Sequence, residues 1–100
     1  MESGNSDRKM AAAMINEVKR VLKEVINLLL DNGELPWARY FDKCLSQLDD
    51  DYHEGIYNIR TAYGGMGSFN DLVLHSNGHA LIKENQRLEQ LRKELYKVTS

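Results

Sequence analysis

Apolar residues recur early in the chain as Met10, Met14, Val18, Val21, Val25 and Leu28, at spacings of four, four, three, four and three. That rhythm places them on one face of an amphipathic helix, and Ile15, Leu22, Ile26 and Leu29 widen the stripe. Asn16, Arg20, Lys23, Asn27 and Asp31 fall on the opposite, solvated side. Residues 1–6 are small and polar and are expected to be disordered, with Asn5 or Ser6 capping the helix and Asp7 near its positive end. Asn32-Gly33 should stop it, glycine being the residue that most readily takes the left-handed C-cap conformation.

Pro36 fits the first turn of a second helix, where its missing N–H is not needed. Trp37, Phe41, Cys44, Leu45 and Leu48 follow at helical spacing and should pack on the first helix as an αα-hairpin. Asp49-Asp50-Asp51 interrupts the pattern and offers cap acceptors to a third helix with the face Tyr52, Ile56, Ile59 and Tyr63. Gly55 inside that helix costs roughly 1 kcal/mol relative to alanine, which points to close packing or a displaced boundary.

A glycine turn, Gly64-Gly65-Met66-Gly67-Ser68, comes next. Ser68 with Asp71 three residues on approximates a capping box, so a short helix is expected over 69–75, with Phe69, Leu72 and Val73 inward and Asn77-Gly78 ending it. Leu72-Val73-Leu74-His75 would also suit a short strand and Asn77-Gly78 a hairpin turn, but no alternating partner run follows. The last helix should run over 80–98 with Leu81, Leu88, Leu91, Leu95 and Val98 on its face and Glu89–Lys93 as an exposed i,i+4 pair. The expected fold is all-α: one domain over 1–100, a compact bundle of four to five helices with a short helix after the Gly-rich turn.

Composition agrees. A chain of 100 residues with 42% hydrophobic and 28% charged residues can fill one core and no second domain. The net charge of -2 lacks the positive field that a nucleic-acid binder needs. Most of the acidity lies in the middle, where residues 34–63 carry six acidic and three basic side chains. Cys44 is the only cysteine, so no internal disulfide forms. Residues 1–9 are polar, with no secretory pattern, and no run approaches the ~20 uncharged residues of a membrane span. A cytoplasmic protein, with neither membrane nor nucleic acid as partner, is the expectation.

Candidate chemistry is sparse. The glycine turn lacks the Gly-Lys-Ser/Thr of a P-loop and the spacing of a dinucleotide fingerprint, and neither a strand nor a G-x-S-x-G elbow accompanies it. A tight capped turn explains it without a phosphate. His75 and His79 are four apart and would share a helix face, but Asn77-Gly78 between them should break any helix, so no metal is expected. Cys44, on an apolar face, reads as a small hydrophobe. Tyr40 and Tyr57 lie off the apolar stripes and suit exposed interface anchors, whereas Trp37 belongs in the core. Asp49, Asp50, Asp51 and Glu54 would cap a helix and also steer a basic partner. No catalytic, cofactor-binding or metal-binding residues are assigned; the candidate partner-binding residues are Asp49, Asp50, Asp51, Glu54, Tyr57, Asn70 and Asp71.

Asn32-Gly33 with Trp37-Ala38, the run Tyr63-Gly64-Gly65-Met66-Gly67-Ser68-Phe69-Asn70-Asp71-Leu72-Val73-Leu74, then Asn77-Gly78 and Glu84-Asn85-Gln86-Arg87-Leu88-x-x-Leu91 together resemble a family of small uncharacterised bacterial helical proteins. The resemblance covers roughly residues 10–98. It implies a compact helical domain and, for members encoded near polymorphic toxins, an immunity role, and it carries over no catalytic residues. The leading expectation is therefore a non-enzymatic immunity protein that occludes the active site of a cognate toxin with a basic surface, through the acidic centre and residues 64–71. The alternatives are a homo-oligomeric adaptor, such as a homodimer using the exposed side of the last helix, and a small enzyme with Asn70, Asp71 and a histidine beside the glycine turn.

Overall fold

A computed structural model describes residues 10–100 with their side chains and residues 2–9 only as backbone of the first helix. The roles expected of the Asn5, Ser6 and Asp7 side chains lie outside the described residues. The order of elements is α1 (Glu2–Asp31), α2 (Leu35–Asp50), α3 (Tyr52–Thr61), a single 3-10 turn (Phe69–Asp71), β1 (His75–Ser76), β2 (His79–Ala80) and α4 (Ile82–Val98). Among the described residues the fold is mainly α, with four α-helices and one minimal hairpin.

α1 is the spine. Its buried stripe, Val18, Val21, Leu22, Val25 and Leu29, packs against Phe41, Cys44 and Leu48 of α2 and against Leu88, Leu91 and Leu95 of α4. Each such leucine or phenylalanine, once buried, contributes ~1.5–3 kcal/mol. Cross-links order the helices: Lys19 pairs with Asp49, Arg20 with Glu94 at 2.6 Å and Glu24 with Arg87 at 2.7 Å, so both α2 and α4 run antiparallel to α1.

Met10 and Met14, expected on the core face, stand exposed. Length explains it. At 1.5 Å per residue α1 is ~45 Å long, whereas α2 and α4, with 16 and 17 residues, reach only ~25 Å. Lys19 and Arg20 already lie level with the ends of both neighbours, and the stripe before Val18 projects past them.

Pro36 sits in the first turn of α2 as expected. Asp51 caps α3, its Oδ1 accepting the Glu54 N–H at 3.2 Å. Gly55 faces α2 so closely that a Cβ there would lie 2.8 Å from Leu48 Cδ2 and 3.0 Å from the Leu48 nitrogen. Close packing, rather than a displaced boundary, is why this helix carries a glycine.

The chain between α3 and α4 departs most from expectation. Residues 69–75 do not form a two-turn helix: the 3-10 turn ends at Asp71 and Leu72 is already extended, with φ -67° and ψ 129°. Val73 is partly exposed rather than inward. Asn77 and Gly78, with φ 54° and 81°, form the two-residue turn of a hairpin that pairs His75 with Ala80 and Ser76 with His79. α4 consequently starts at Ile82 rather than near Ala80. Glu89 bonds Arg92 at 3.3 Å, three residues on, instead of pairing with Lys93.

Candidate functional site

The α2–α3 corner gathers five of the seven candidate residues. Asp51 spends its carboxylate on the α3 cap and Asp49 pairs with Lys19, while Asp50 and Glu54 are exposed and make no ion pair among the described residues. Tyr57, one turn beyond Glu54 on the same face of α3, is 64% exposed. Tyr40, the other expected anchor, has its hydroxyl committed: it donates to the Asn58 carbonyl at 2.6 Å and thereby ties α2 to α3.

Asn70 and Asp71 lie elsewhere. α3 has ten residues, so ~15 Å of helix separates its acidic N-terminus from the glycine turn at its other end. Both side chains there work on the turn itself. Asn70 Nδ2 donates to the Tyr63 carbonyl at 3.0 Å, and Asp71 Oδ2 accepts the Gly67 N–H at 2.8 Å. Ser68 Oγ accepts the Asn70 N–H at 3.3 Å, and Phe69 N–H closes the loop onto the Ala62 carbonyl at 2.9 Å. Gly65 and Gly67 hold φ of 83° and 74°, where a side chain would be strained. The approximate capping box is therefore real but displaced: Asp71 reaches Gly67, not Ser68.

Two residues that hold this region were not legible as site residues. Arg92 Nη1, from α4, donates to the carbonyls of Phe69 and Leu72 at 3.0 and 2.9 Å, while its buried Nε has no partner among the described residues. Asn85, also on α4, bonds both main-chain groups of Leu74. An asparagine on the polar side of a helix carries no sequence signal for such a role.

His75 and His79 occupy opposite faces of the hairpin, because His75 lies across from Ala80 and Ser76 from His79, and successive strand residues alternate sides. Among the described residues no three histidine, cysteine or acidic side chains converge as a metal-binding group. Cys44 is buried, and burial pushes its thiol up to about 11. Burial likewise raises the Tyr63 hydroxyl, which donates to the Arg92 carbonyl at 2.7 Å. A cup of about 420 Å³ lies between Tyr63, Asn70, Arg92, Lys93 and Tyr96, and a groove of about 330 Å³ runs past Trp37, Gly67, Asp71, Val73 and His75. No helix among the described residues is long and apolar enough to cross a membrane.

Residues 30–82, just over half of the chain, match the model of a family described as a domain of unknown function, DUF6966. The chain belongs to that family. No curated protein and no solved structure matches it. The DUF6966 segment spans α2, α3, the glycine turn and the hairpin, and so contains all seven candidate residues. Arg92 and Asn85, which hold that segment against α4, lie beyond the matched residues.

Proposed function

We propose that this chain is a non-enzymatic protein-binding module that docks a basic partner on the α2–α3 corner. The observation that carries the reading is Tyr57, an exposed aromatic on the face of α3 that also bears Glu54, with Asp50 at the adjacent helix end. Tyrosine supplies contact area at low entropic cost, and unpaired carboxylates around it steer a cationic surface into register. Asn70 and Asp71, internally bonded and at the other end of α3, are turn-forming residues in this reading and leave the corner as the docking site.

Within it, the partner is a toxin domain in the cytoplasm and the chain is its immunity protein, as the sequence resemblance implies. Co-expression with the product of the neighbouring gene tests this. A toxic neighbour retained on the tagged chain, and released when Tyr57 becomes Ala or Glu54 becomes Lys, is expected; a neighbour neither toxic nor retained would refute it.

A further inference from the structure

We propose that the outer edge of the segment 73–75 is a second docking site, one that takes an extended segment of a partner protein as an added β-strand. The ladder sets the geometry. The two-residue turn makes Ser76 and His79 the hydrogen-bonded pair that closes the hairpin, and Leu81 N–H reaches the Leu74 carbonyl at 3.0 Å, two residues along. In an antiparallel pair such positions alternate with residues whose N–H and C=O point the other way. Val73 and His75 are those residues. Both are exposed, Val73 at 44%, and no hydrogen bond among the described residues engages the Val73 main chain.

The inner edge, by contrast, is complete. Asn85 stands in for the missing strand residue by bonding the Leu74 N–H, and this holds the segment extended without help from a longer sheet. Protein edges are ordinarily covered or blunted; this one is short, but neither proline nor lysine blocks it. Beside the open edge runs the groove past Trp37, Leu72 and Asp71. Trp37 and Leu72, both half-buried, offer it an apolar floor; Asp71 uses Oδ2 on Gly67 N–H and keeps Oδ1 for a cation. The occupant is accordingly an extended stretch with an apolar side chain facing Trp37 and a lysine or arginine beside it, held by main-chain bonds to Val73 and His75.

The probe is a short synthetic peptide of alternating valine and threonine with a lysine at each end, titrated into the full chain. Binding should slow hydrogen exchange at the Val73 and His75 amides and leave Leu74 and Ser76, already bonded, unchanged. Methylating the peptide nitrogens along one edge should weaken binding about tenfold, the loss expected from about two main-chain hydrogen bonds, while methylating the other edge should not. Val73→Pro removes the protein's own donor, and Leu72 already has the extended ψ that a residue before proline adopts. That variant should keep its helical circular dichroism and lose the peptide; if it does not fold, the methylated peptides decide alone. Absence of binding, equal sensitivity to both methylation patterns, or protection outside 73–75 would overturn the proposal. So would protection of Val73 and His75 without peptide in a concentration-dependent dimer, which would give the edge to a second copy. Glu54→Lys, at the acidic corner, should leave peptide binding unchanged, so failure of either site is visible separately.

Discussion

Asn85 holds Leu74 by both of its main-chain groups: Oδ1 accepts the Leu74 N–H at 2.8 Å and Nδ2 donates to the Leu74 carbonyl at 3.0 Å. The same Nδ2 donates to the Leu81 carbonyl at 2.8 Å, so one side chain joins both arms of the hairpin to the first turn of α4. Leu74 itself is fully buried, and its polar groups have no water to fall back on.

Replacing Asn85 with Ala should therefore cost about 2–3 kcal/mol, since it strands main-chain groups around a buried residue. Urea unfolding checks the magnitude. Asp at the same position should be no better, because a carboxylate cannot donate to the two carbonyls that Nδ2 serves. An Asn85→Ala variant as stable as the parent would show that the hairpin is held by Leu74 packing alone.

Gly55→Ala ought to destabilise the protein even though alanine is the stronger helix former. The added Cβ would lie 3.0 Å from a main-chain nitrogen of α2, which cannot swing aside. Overpacking of this kind costs about 1–3 kcal/mol, against a propensity gain of about 1. The expected net loss shows as a lower melting temperature with an unchanged far-UV spectrum.

Alkaline pH should weaken the fold before acid chemistry at these groups matters. Cys44 is raised from its ordinary 9.0 to about 11, and Tyr63 is raised above its ordinary 10.0, both chiefly by burial. The folded state thus favours their neutral forms. Their contribution is fully present below about pH 9, the range of the unfolded thiol, and is lost as pH climbs towards 11 and beyond. Urea midpoints measured from pH 7 to 11 should hold level and then fall; a rise above pH 9 would contradict the assignment. Under native conditions near pH 8 the Cys44 thiol should also alkylate far more slowly than in urea.

Charge reversal at Asp50 and Glu54 together should slow association with a basic partner by about tenfold at low salt, and much less at high salt, since exposed charges act mainly on encounter. Thermal stability should change little. Asp49→Lys is the informative control: it breaks the link to Lys19, a partly exposed pair worth about 0–1 kcal/mol, and so touches stability slightly as well as binding. Stopped-flow measurements at two ionic strengths separate these effects.

Of the seven candidate residues, those on the α2–α3 corner were legible because a run of aspartates at a break in helical periodicity can only be a cap or an exposed charge cluster, and Asp51 and Asp50 now divide those roles. Asn70 and Asp71 were legible as polar residues of a capped turn, but not as the side chains that bond Tyr63 and Gly67. Arg92 offered no signal at all, lying three residues from Glu89 on a helix whose apolar stripe explained itself.

Periodicity by itself determined the four helices, the apolar stripe of α1 and the burial of Cys44, because each depends on residues close together in the chain; that the stripe is covered only from Val18 onward, and that Gly55 marks close packing against Leu48 rather than a boundary, were decided by the neighbouring helices. Tertiary structure alone decided the course of residues 69–81. The local signals there, a cap at Ser68 and an Asn77-Gly78 pair that could stop a helix or turn a hairpin, suited a short helix or a short strand, and the choice fell to α4: Arg92 claims the carbonyls of Phe69 and Leu72 and Asn85 claims both polar groups of Leu74. Those four bonds come from 11 to 23 residues away and replace the local ones a helix would have made. The main chain takes whichever partners satisfy it inside the core, and here the partners are on α4.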